Sequence, residues 1–141
     1  MKIRHEHIRK VLLAWAAGEG AEKIPAARIA GAWFSLGLTG LSLYRDDHPD
    51  ALSRNTQKIF RWVKSDSLAS QQKVQLLLPA IEKAMPVFLL ARMRSHSSAT
   101  CRDLVMRKER IDREMEAMIG AIIALSDRVD GSGPAGNILV H

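Results

Sequence analysis

Between Cys101 and Val129, the residues Cys101, Leu104, Lys108, Ile111, Met115, Met118, Ile122, Leu125 and Val129 recur at alternating steps of three and four. Such a register, sustained over about four heptads, keeps one seam on one side of a single long helix. Only Lys108 interrupts its apolar content, and Ile119 and Ile123 widen the stripe toward the end. A wide stripe suits a four-helix bundle better than a two-stranded coil. On the outer positions Glu109 precedes Arg113, and Arg110 precedes Glu114, by one helical turn. A helix of roughly 30 residues is about 45 Å long, longer than a domain of roughly 95 residues is wide. Its seam therefore needs a partner. Burying about seven large apolar side chains gives roughly 10–20 kcal/mol per helix, against an association cost of about 4–15 kcal/mol. Leu104, Ile111, Met115, Met118, Ile122, Leu125 and Val129 are accordingly the candidate oligomerisation residues. A seam rich in methionine specifies copy number poorly, so both dimer and tetramer stay open.

The rest of the chain also reads as helix. Ala, Leu, Met, Lys, Arg and Glu dominate, and alternating β-branched runs are absent. RHEHIRKVLLAWAA, from Arg4, places Ile8, Leu12 and Trp15 on one face and stops at GEG, residues 18–20. Pro25 opens a second helix that ends near Gly37, with Ile29, Trp33 and Leu36 on its inner face. Residues 38–52 hold turn and cap chemistry in a long loop (Gly40, Asp46, Asp47, Pro49, Asp50). A third helix runs from Ser53 to about Lys64, and a fourth starts at Asp66 or Ser67. Pro79 is expected to open a fifth, kinked or divided by Pro86. The expected fold class is all-α: a five-helix N-terminal domain over residues 1–94, a long oligomerisation helix over 95–130, and a Gly/Pro-rich flexible tail over 131–141.

The third helix carries the functional signal. From Ser53 to Ser65 it has no acidic residue. At 100° per residue, Leu52, Thr56, Ile59, Phe60 and Val63 form one apolar face. Arg54, Gln57, Lys58, Arg61, Lys64 and Ser65 lie opposite, with Asn55 and Trp62 at the flank. Arg forks match guanine, Asn and Gln match adenine, and Lys and Ser suit phosphate. A solvated basic face on a structural helix is the plain alternative, although such faces usually mix signs. The candidate DNA-binding residues are Arg28, Ser53, Arg54, Asn55, Thr56, Gln57, Lys58, Arg61 and Lys64. Among them Arg54, Asn55, Gln57 and Lys58 are expected to read bases, while Ser53, Arg61, Lys64 and Arg28 meet phosphate. Trp62 reads as a core-edge residue. Residues 25–36 would be the supporting helix of a helix-turn-helix, with an unusually long connection.

The net charge of +6 suits a polyanionic partner, double-stranded DNA here. One cysteine, Cys101, excludes an intrachain disulfide and fits a reducing compartment. The opening MKIRHEHIRK is not a signal peptide, and MIGAIIAL, residues 118–125, is too short to span a bilayer. The expectation is a cytoplasmic, nucleoid-associated protein with no membrane partner. His5 and His7 read as surface residues, and Asp46, Asp47, His48 and Asp50 as turn chemistry rather than a metal site. GEG and GPAG lack the Lys and Ser/Thr of a phosphate loop. No catalytic constellation, metal or cofactor is expected, and the chain reads as a non-enzyme.

RNTQKIFRWV (54–63), LLPAIEKAMP (77–86), ARMRSHSSA (91–99), GPAGN (133–137) and the opening MKIRHEHIR resemble the YdaT family of prophage proteins over nearly the whole chain. That family carries a toxin label and is similar in role to the CII-type regulators of lambdoid phages. The resemblance implies a POU-like helix-turn-helix domain with an extended loop between the motif helices, and a C-terminal helix that assembles a homotetramer. It places the recognition helix at residues 53–64 and its partner at 25–36. The expected function is a sequence-specific transcription regulator of a prophage. The alternative is a prophage toxin that binds a cellular protein.

Overall fold

A computed structural model describes residues 3–132 of the chain. Six α-helices and no strands make up this part: α1 His5–Glu19, α2 Lys23–Ser35, α3 Ala51–Lys64, α4 Leu68–Ala84, α5 Val87–Arg94 and α6 Ala99–Ser132. The all-α class and the plan of five shorter helices followed by a long one are as expected. The chain divides into two compact units after Arg102, eight residues beyond the boundary expected at residue 94. The expected tail starts at residue 131, but α6 continues to Ser132 and the remainder lies outside the described residues.

In the first unit, one apolar stripe from each helix converges on a single core. Ile8, Leu12 and Trp15 of α1 meet Ile29 and Trp33 of α2, Ile59 and Val63 of α3, and Leu77 and Ile81 of α4. Met93 of α5 closes it, fully buried. Helix ends follow local chemistry. Gly20 adopts φ 86° beyond α1, and its N–H caps the Ala16 and Ala17 carbonyls. Gly37, at φ 68°, turns the chain out of α2. Ser67 caps α4 by accepting from the Ser70 N–H.

Pro79 does not start a helix. It lies inside α4, and the break falls instead between Ala84 and Val87, at Pro86. An interior proline costs about 3 kcal/mol. Val74, Leu77, Ala80 and Ile81, on both sides of Pro79, are buried in the same core, and that shared burial offsets the cost. At Pro86, the first residue of the next helix, Val87, is 82% exposed, and burial resumes only further along α5, at Met93.

The seam residues Leu104, Ile111, Met115, Met118, Ile122, Leu125 and Val129 all lie on α6 and are all more than half exposed, as are Ile119 and Ile123. Lys108, the polar break in the register, pairs with Asp112 at 2.7 Å. No helix among the described residues is long and apolar enough to cross a membrane.

Candidate nucleic-acid interface

Helix α3 is fixed from below and from both ends. Ile59, Phe60, Trp62 and Val63 are buried against the core, and Trp62 belongs there rather than on the surface. At the C-terminal end, Arg9 Nε of α1 donates to the Val63 carbonyl at 2.9 Å, and His5 Nε2 lies 2.8 Å from the Ser65 carbonyl. These are orphan acceptors of the last turn, and two basic side chains are well placed for them. Arg9 also pairs with Asp66 just beyond. That hydrogen bond and charge hold the Asp66 carboxyl below the usual carboxylate range. His5 is therefore not the surface residue that its sequence context suggested; it is 8% exposed and serves as a cap.

The loop over residues 36–50 clamps the N-terminal half of α3. Asn55 is 4% exposed. Its Oδ1 accepts from the Tyr44 N–H at 2.8 Å, and its Nδ2 donates to the Tyr44 carbonyl, also at 2.8 Å. The amide thus reads a peptide group of the protein, which removes Asn55 from the expected base readers. Lys58 donates to the Ser42 carbonyl and, at 2.9 Å, to Ser42 Oγ. Its ammonium also sits 4.8 Å from the centre of the Tyr44 ring. Tyr44 packs in turn against His48 with the rings tilted by 38°, and Arg45 lies over Phe34 of α2. The loop is pinned to both α2 and α3.

The other expected contacts fall into two groups. Ser53, Arg54, Gln57 and Arg61 are exposed, and the side chains of Arg54, Gln57 and Arg61 show no hydrogen bond or ion pair among the described residues. They lie at positions i, i+3 and i+7, along one solvent-facing stripe. Two further cations already have acidic partners: Lys64 meets Glu22 at 2.6 Å, and Arg28 meets Glu19 at 2.8 Å. These acids come from outside α3, so a stretch free of acid in sequence is not free of it in space. Both pairs are substantially exposed, and such pairs contribute only about 0–1 kcal/mol, so a phosphate oxygen can replace either carboxylate at little cost. Thr56 is half-buried, and its hydroxyl donates to the Leu52 carbonyl at 2.6 Å.

Sequence reasoning missed His5, Arg9, Ser42 and Tyr44. Each acts across eleven or more residues, and no local periodicity signals that. No group of three or more His, Cys, Asp or Glu among the described residues is placed to hold a metal ion.

Residues 7–128 match the model of a family described as bacterial toxin YdaT. The chain is 30% identical, over the full length of both proteins, to an Escherichia coli (strain K12) protein named transcriptional regulator YdaT.

Proposed function

The chain belongs to the YdaT toxin family, and from that membership we propose that it is a transcription regulator that binds double-stranded DNA by sequence. The observation that carries this reading is the stripe of Arg54, Gln57 and Arg61 on α3, whose side chains are exposed and without partners among the described residues, on a helix held rigid at both ends. Arg54 and Gln57, in the N-terminal half of α3, read base edges in the major groove. Lys58 joins them by releasing Ser42. Ser53, Arg61, Lys64 and Arg28 take phosphates. The name of the Escherichia coli relative supports a regulatory role. By its resemblance to CII-type proteins, the regulator serves a prophage and works in the cytoplasm on the nucleoid.

The working form is a homotetramer. The exposed Met115, Met118, Ile119, Ile122, Ile123, Leu125 and Val129 span an arc of roughly 160° on α6. An arc that wide touches more than one neighbouring helix, as in a four-helix bundle.

Selection from random duplexes tests the regulator. Enrichment of one short motif, repeated at about one helical turn, is the expected result. The toxin description of the family favours a second reading, in which the same basic face docks on a cellular protein. Absence of any enriched motif supports that reading and refutes sequence-specific binding.

A further inference from the structure

A polar cleft of about 310 Å³ lies away from the α3 stripe, lined by Arg4, His7, His96, Ser97 and Arg102. Three separate parts of the first unit build it: the start of α1, the joint over residues 95–98, and the first turn of α6. The rings of His7 and His96 stack with centroids 3.8 Å apart and planes 9° from parallel. Parallel stacked rings do not converge their nitrogens on one ion, so the pair is a poor metal site. No acidic side chain lines the cleft.

We propose that this cleft binds a small phosphate-bearing anion, inorganic phosphate or a phosphomonoester, held by Arg4, Arg102 and the His7–His96 pair. The donor supply fits that class. Arg102 spends Nε on the Ser95 carbonyl at 3.2 Å, which orients the guanidinium and leaves its terminal nitrogens for a ligand. The Ser97 hydroxyl lies 3.3 Å from the Arg94 carbonyl and can redirect. Guanidinium forks pair with the oxygens of a phosphate, and protonated imidazoles add further charge-assisted donors. One internal competitor exists. Glu6, on the rim, is 3.5 Å from Arg4 and 3.8 Å from His7. It occupies part of the positive field that an anion would otherwise use.

The charges around His96 give the site a pH dependence. Desolvation, then His7, Lys10 and Arg102, pull its pKa below the ordinary value, and only Glu6 opposes them. A bound anion relieves the repulsion and raises the pKa again. Affinity therefore rises as pH falls through the histidine range. Occupancy ties the joint over residues 95–98 to α1.

The test is a titration of inorganic phosphate into the full chain, near pH 6.5, followed by the ring C–H NMR signals of His7 and His96. Sodium chloride at matched ionic strength is the control. Saturable movement of both signals with phosphate alone, and a raised titration midpoint for His96, are expected. E6Q should tighten binding, while R4Q and H96N should each weaken it by about tenfold. Arg4 is exposed and outside the core, so R4Q folds even if H96N does not. Equal movement with chloride, or unchanged affinity in R4Q, would overturn the proposal. So would a response to duplex DNA but not to phosphate, which would make the cleft a contact for the DNA backbone.

Discussion

Replacing Asn55 with Ala separates two roles that the residue type alone allows. If the amide read adenine, the substitution would leave the fold intact and relax binding at one base pair. In the structure both of its polar atoms are instead spent on Tyr44 at 2.8 Å. Two neutral hydrogen bonds at about 1 kcal/mol each give a loss of about 2 kcal/mol. Tyr44 is only half-buried, so water recovers part of its bonding and the upper range for orphaned groups does not apply. In a domain of about 100 residues, 1 kcal/mol corresponds to roughly 4–8 °C in Tm, so N55A should melt about 8–16 °C lower. Asn55→Asp should be worse, because its second oxygen faces the Tyr44 carbonyl where a donor is needed. Urea unfolding reads the loss, and limited proteolysis should show earlier cutting within residues 36–50. An N55A protein with parental stability and an intact loop, but altered base preference, would refute the clamp.

Gln57→Ala should relax discrimination by about 1–3 kcal/mol at one base pair, whereas Lys64→Ala should weaken all sequences alike and reduce the salt slope by about one; operator binding at several salt concentrations measures both. Ile122→Asp places a charge in the apolar arc of α6 and should dissociate the assembly while the first unit stays folded, which light scattering and circular dichroism check together. The Arg9–Asp66 pair lowers the Asp66 pKa from its usual 3.8. Its stabilisation is therefore present above about pH 4 and is lost as pH falls through the depressed value. Asp66→Asn should flatten the dependence of the urea midpoint on pH in that acid range and leave the slope near neutrality unchanged.

Helices were legible along the chain wherever apolar residues kept a 3.6-residue period, because that period is a property of the backbone alone. The seam of α6 is the clearest case. Its residues share the face that their spacing assigns, since no other element is needed to define that face, and they are exposed. Pro79 shows where local rules stop. Proline ends a helix by default, and only the core shared by Val74, Leu77 and Ile81 kept α4 continuous through it.

The candidate interface divides in the same way. A helix wheel placed Arg54, Gln57 and Arg61 on the outer face, where they are, since rotation about one helix axis is set within the segment. Asn55 stood at the flank of that wheel, where a rotation of some tens of degrees separates solvent from core, and the loop carrying Tyr44 resolved it inward. Glu19, Glu22, His5 and Arg9 reach their partners from other parts of the chain, 9 to 60 residues away. Periodicity carries no information at that range. The chain's pattern determined which surface α3 offers; the packing of α1, α2 and the long loop around it decided which of those side chains are left for another molecule.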